Sequence, residues 1–151
     1  MIKKALFIIV IIGVAFSCKP DAHKSLQSLR QLTGTWVSAN NTVVYFKFGE
    51  VGNELQCSSF SLQHGDTLWI DCYRFDEDTD TLLLYMGSCG KSSNSKIYHL
   101  EKDWFGKFVF EAKDEVYPYR IVFDLVSDSL WQYKQENIRG NKNISFNLKR
   151  Q

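Results

Sequence analysis

From Trp36 onward the chain sustains no apolar pattern of helical period. It breaks into short runs rich in Val, Ile, Thr, Tyr, Phe and Trp, separated by turn-forming residues. Strands are expected near 35–38, 42–48, 54–62, 67–75, 81–87, 96–102, 107–112, 119–125, 129–136 and 143–149. Ten short strands at this spacing point to an all-β antiparallel sandwich or closed barrel. The lack of helical patterns between them speaks against a parallel α/β sheet. Asp66-Thr67-Leu68-Trp69, Asp80-Thr81-Leu82-Leu83 and Asp128-Ser129-Leu130-Trp131 each set a turn-forming Asp before Thr or Ser and a large apolar pair. They read as strand starts after tight turns, as simple up-and-down order requires. Ahead of the strands, Leu26, Leu29 and Leu32 recur at spacing three, which suits a short helix over 25–32. Such a helix is too short to stand alone and must lie against the sheet.

The N-terminus is of a different kind. Lys3 and Lys4 precede an uncharged apolar run that ends at Ser17, too short to span a bilayer by itself. A charged start, an apolar stretch and small residues before a cut mark residues 1–17 as a secretory signal. Ala15-Phe16-Ser17-Cys18 resembles a relaxed bacterial lipobox, in which the cysteine is acylated and becomes the new N-terminus. Ordinary cleavage after Ser17 also satisfies the small-x-small rule, but a cysteine at this position by chance is uncommon. Each buried methylene contributes about 0.8 kcal/mol, so two or three acyl chains on Cys18 bind a bilayer almost irreversibly. Lys19 stands where some inner-membrane lipoproteins carry Asp, which favours the outer membrane. The domain plan is then signal 1–17, lipidated tether 18–25 and barrel 26–151. The processed chain has 16 Lys and Arg against 17 Asp and Glu, a net charge of −1. No basic stripe collects phosphate contacts, so nucleic acid is not an expected partner.

Three cysteines follow Cys18. Gln63-His64-Gly65-Asp66 reads as a hairpin turn, and a two-residue loop at His64-Gly65 sets Cys57 opposite Cys72. A Cys57–Cys72 bridge would close a loop of about 15 residues, worth around 3 kcal/mol on the chain-entropy model. Cys89, between Gly87 and Gly90, is then the free thiol. The same register pairs Phe60 with Trp69 and Leu62 with Thr67, with Asp71 and Tyr73 on that same face. An apolar wall with one carboxylate and one phenol suits a ligand pocket made of Phe60, Trp69, Asp71 and Tyr73. Equally, Phe60 and Trp69 can be a core pair with Asp71 at a wet rim.

Signals for chemistry are few. No nucleophile elbow, phosphate loop or dinucleotide fingerprint occurs, and no Cys or His pair has zinc spacing. His23, His64 and His99 are scattered, with His99 able to face the barrel lumen, and Asp76-Glu77-Asp78-Asp80 reads as a solvated turn. The expectation is a non-enzyme with no metal and no cofactor.

Gly34-Thr35-Trp36, directly after Leu29 and Leu32, resembles the Gly-x-Trp signature of lipocalin and wider calycin barrels. That resemblance implies an antiparallel up-and-down barrel of about eight to ten strands with a short N-terminal helix. It also implies that Trp36 closes one end and that an Arg of the last strand packs across it. Ile144, Phe146 and Leu148 alternate onto one face and Arg150 continues it, which makes Arg150 the candidate. The processed chain as a whole resembles lipocalin-like lipoproteins of Gram-negative bacteria. The matching segments are 32–36, Gly65-Asp66-Thr67 with Asp71, Val109-Phe110-Glu111 and Tyr117-Pro118-Tyr119-Arg120-Ile121. That group often has His-Asp-aromatic-Pro where this chain has Glu115-Val116-Tyr117-Pro118, so any activity resting on the His and Asp does not carry over. A shared barrel does not determine chemistry. The expected function is non-catalytic binding of a small, largely apolar molecule inside a membrane-anchored barrel. The rival is an envelope interaction or scaffold protein with a filled core and a protein partner. The tether is short, so the closed end should face the membrane and a pocket should open away from it.

Overall fold

The computed structural model describes residues 19–38, 43–90, 95–114, 117–139 and 143–151. The signal segment 1–17, Cys18 with its lipidation, and Glu115-Val116 lie outside the described residues. Helix α1 spans Ala22–Leu29 and runs into a 3-10 turn at Arg30–Leu32. It begins earlier than its leucine spacing suggests, because the Asp21 carboxylate accepts the Lys24 backbone N–H at 3.0 Å and caps it. Part of the expected 18–25 tether is thus helical.

The strands are β1 Gly34–Ser38, β2 Tyr45–Val51, β3 Glu54–Gln63, β4 Asp66–Asp78, β5 Thr81–Gly87, β6 Lys96–Trp104, β7 Lys107–Ala112, β8 Arg120–Ser127, β9 Leu130–Glu136 and β10 Asn143–Arg150. Each pairs antiparallel with its neighbours in sequence, and β1 pairs with β10, so the sheet closes into a ten-stranded up-and-down barrel. At the seam Trp36 lies opposite Arg150, and the Gln151 N–H donates to the Thr35 carbonyl at 3.0 Å.

Alternation sends one side chain in two to the interior, which is filled largely by aromatic rings. Rings from strands that are not neighbours meet across it. Phe46 and Tyr133 have centroids 4.9 Å apart, Phe75 and Phe110 5.8 Å, and Phe48 and Phe123 6.1 Å. Helix α1 and its 3-10 turn bury Leu26, Leu29 and Leu32 against one end of this column. The short turns at 52–53, 79–80, 105–106 and 128–129 lie at that end. There the Ser25 hydroxyl donates to the Asp103 carboxylate, and His23 Nδ1 lies 3.2 Å from Glu77 Oε2.

The β3–β4 hairpin corrects the cysteine assignment. His64 and Gly65 do form a two-residue turn, with φ of 53° and 91°. From that turn Gln63↔Asp66, Leu62↔Thr67, Ser61↔Leu68 and Phe60↔Trp69 pair as expected. The register then shifts, because β4 holds one extra residue, Ile70, between the partners of Phe60 and Ser59. Beyond this bulge Cys57 lies opposite Tyr73, and Cys72 lies opposite Ser58. A one-residue slip exchanges the faces of a strand. Cys57 therefore faces the interior, buried and free, while Cys72 faces outward. The expected Cys57–Cys72 bridge does not form; Cys72 is bonded to Cys89. Gly87 on β5 is the partner of Cys72, so the chain just past Gly87 returns Cys89 to it.

Candidate functional site

The bulge also divides the four expected pocket residues. Phe60 and Trp69 sit on the outer surface, where Phe60 stacks on Tyr45 at 5.2 Å and meets Trp69 at 5.3 Å. Trp69 remains 57% exposed. Asp71 and Tyr73 face inward, opposite Ser59 and Cys57. The pairing of Phe60 with Trp69 holds, and their grouping with Asp71 and Tyr73 does not. His99 points out, since its neighbours Tyr98 and Leu100 are the buried ones, and it pairs with Glu111 and Leu83.

Asp71 and Tyr73 belong to a polar cluster at the end of the interior opposite α1. Gln135 Nε2 donates to Tyr133 Oη at 2.6 Å, Tyr133 Oη and Tyr73 Oη are 2.7 Å apart, and Tyr73 Oη donates to Asp71 Oδ2 at 3.4 Å. A Tyr133 O–H donated to Tyr73 makes this one chain of hydrogen bonds ending on the carboxylate. Ser59 Oγ braces Asp71 from below, accepting its N–H at 3.0 Å. Ser61 and Gln135 are buried beside it. Tyr98 Oη donates to the Pro118 carbonyl at 2.9 Å, tying the rim segment to the wall.

Burial sets the electrostatics. It pushes the Tyr73 and Tyr133 phenols far above their ordinary range, so both stay protonated donors at neutral pH. Burial also raises the Asp71 carboxyl, and hydrogen bonds from Tyr73 and Gln135 hold the rise in check. Leu68, which lies opposite the inward Ser61, and Ile144, which alternates with inward Phe146 and Leu148, are exposed at the mouth. Asp71 is thus partly exposed at this end, with Leu68 and Ile144 as an apolar lip and a buried floor of two linked phenols. Below that floor the interior is ring-packed. The Asp71 carboxylate can accept from a hydrogen-bond donor there. Among the described residues no group of three His, Cys, Asp or Glu is placed to hold a metal.

Sequence reading missed Tyr133, Gln135, Ser59 and Ser61. A signal existed: Trp131, Tyr133 and Gln135 alternate with Gln132, Lys134 and Glu136, which puts a Gln on the apolar face. Ser59 and Ser61 continue the inward series of Leu55 and Cys57 in the same way.

At the opposite end the closing pair is in place. The Arg150 guanidinium lies 4.8 Å from the Trp36 ring centroid and donates to the Gln31 carbonyl at 2.8 Å. The Trp36 indole N–H donates to Leu32 at 2.6 Å, and its ring meets Trp131 edge-on at 6.5 Å. Outside the barrel, a cleft of about 660 Å³ runs past Gln56, Arg74, Tyr85 and Ile97. There Arg74 is engaged by Glu54 at 3.3 Å and by the Tyr85 ring at 4.3 Å. No protein-family model, no curated protein and no solved structure matches the chain.

Proposed function

We propose that this chain is a lipoprotein anchored through acylated Cys18 to the outer membrane, whose lipocalin-like barrel binds a small, largely apolar ligand without catalysis. The ligand sits at Asp71, at the end of the interior away from α1. The observation that carries this reading is the inward polar chain Gln135–Tyr133–Tyr73–Asp71. Burying polar side chains costs free energy that an all-apolar core would avoid, and here they converge below an apolar lip. The preferred ligand is one bearing an N–H or O–H donor for Asp71.

A titration of the processed chain with N-phenylnaphthylamine, an apolar fluorophore with one N–H, tests this. One-to-one saturation is expected, weakened roughly tenfold by Asp71→Ala, which removes the acceptor of the probe N–H. Trp69→Ala, on the outer surface, should leave it unchanged. Absence of saturable binding in a folded chain sinks the proposal.

The second reading, an interaction or scaffold protein with a protein partner, has its own support in the ring-packed interior and the β3–β4 hairpin. Among the described residues, pairing to β2 stops at Phe60 and pairing to β5 stops at Cys72, so the hairpin projects past both strands. It exposes Leu62, Leu68, Trp69 and Ile70. Binding that Trp69→Ala abolishes and Asp71→Ala spares would favour it.

A further inference from the structure

The β6–β7 turn breaks two local rules at once. Phe105 and Gly106 both take positive φ, 50° and 80°, in a two-residue turn. The first such position ordinarily takes Asn, Asp or Gly, because a Cβ there is strained. Phe105 is moreover fully solvent-exposed, at 101% of its reference area. Neither backbone preference nor packing accounts for a phenylalanine at this place. Violations of this kind concentrate where function requires them.

The turn is also held firmly. The Leu125 N–H donates to the Gly106 carbonyl at 2.9 Å, and a Cβ at Gly106 would come within 2.8 Å of the Leu125 Cβ. Its surroundings are those of an interface. Trp104 is 52% exposed, with the Lys102 ammonium 5.1 Å from its ring centroid, and Val126, next to Leu125, is exposed too. Aromatic rings with flanking lysines suit the boundary between water and lipid.

Position supplies the occupant. Ser25 of α1 donates to Asp103, two residues before Phe105, so helix and turn share one end of the barrel. Helix α1 starts at Ala22, four residues after Cys18, and four residues reach at most about 14 Å. We infer that Phe105, with Trp104 beside it, inserts into the lipid surface to which Cys18 ties the chain, docking the barrel by its α1 end. The inference rests on the anchored reading above. Charges at this end are mixed. Lys107 is paired with Asp124 at 3.6 Å, and the Asp76-Glu77-Asp78-Asp80 turn is acidic. The contact is therefore apolar in character and does not require anionic lipid.

The test reconstitutes the acylated chain in phosphatidylcholine vesicles with brominated acyl chains, which quench tryptophan only on contact. Quenching should vanish in Trp104→Phe and persist in Trp69→Phe, with Trp36 and Trp131 as buried background. Phe105→Asn should reduce quenching severalfold while the thermal midpoint stays level or rises, since Asn suits the turn better. That pairing of effects separates insertion from a folding role. Vesicle-bound chain without quenching overturns the inference, as does quenching lost only in Trp69→Phe, which would mean the opposite docking. Phe105-dependent self-association without quenching would assign the turn to a second copy and overturn it too. If the mass of Cys18 shows no acyl chain, the anchored reading itself has failed, and the inference falls with it.

Discussion

Tyr133 is the hinge of the interior polar chain, since it touches both Gln135 and Tyr73. Tyr133→Phe keeps the ring contacts with Phe46 and Phe123 and removes only the hydroxyl. The Gln135 amide then keeps only its bond to Asp71, Tyr73 loses its partner on Tyr133, and an unsatisfied buried polar group costs about 1–3 kcal/mol. Urea unfolding should report a loss of that size with an unchanged slope. Asp71 governs the response to pH. Burial raises its folded-state pKa above the ordinary carboxylate value, so the folded form holds its proton more tightly than the unfolded one. Stability from this group is complete at acid pH, where both states are protonated, and is lost as pH rises through the raised pKa. Asp71→Asn removes the ionisation. Its stability relative to the parent should therefore be most favourable at neutral pH and decline on acidification towards pH ~3, below the ordinary carboxylate range. Parallel thermal melts across pH check the trend, and a flat difference would contradict the assignment.

Among the elements, the β3–β4 hairpin holds the main lesson. Closing a loop with a sequence separation of 17 residues, the Cys72–Cys89 bridge is worth about 3 kcal/mol on the chain-entropy model. Cys89→Ser should lose most of that in denaturant unfolding, whereas Cys57→Ala leaves the bridge intact in a peptide map. Alternation and turn chemistry made all ten strands legible, along with the His64-Gly65 turn and the Phe60–Trp69 pair beside it. The bulge was not legible. Trp69, Ile70 and Asp71 contain no Gly or Pro to announce an extra residue, and Ile70 suits a regular strand as well as a bulge. One unannounced residue thus moved Asp71 and Tyr73 to the other face from Trp69 and parted Cys57 from Cys72. The second hairpin held the missing clue. A two-residue loop at 79–80 sets Cys72 beside Gly87, with Cys89 just beyond the strand end. The short helix was read from its leucines, but its start depends on the Asp21 cap, which leucine spacing does not register.

For the molecule as a whole, one apolar column runs from α1 to the phenol floor, and stability should track how well its α1 end is sealed. Leu29 is fully buried there. Leu29→Ala should cost about 2–5 kcal/mol in denaturant unfolding, by lost transfer energy plus the void left behind. Arg150→Ala removes only a cation over an indole and one hydrogen bond, so its loss should be smaller, about 0.5–2 kcal/mol. A reversed order would mean that the seam, not the plug, limits stability.

That seam has a consequence in time. Of the barrel's strands β1 is made first and its partner β10 last, so the ring cannot shut until β10 has been synthesised. Until then β1 has only β2, and β9 waits for its second neighbour. Such bare edges template intermolecular pairing. Joining chain segments so far apart pays its loop-closure entropy before any contact rewards it, which makes late, slow closure the expected order of assembly. A stalled or truncated chain lacking β10 is therefore the form of this protein most prone to aggregate.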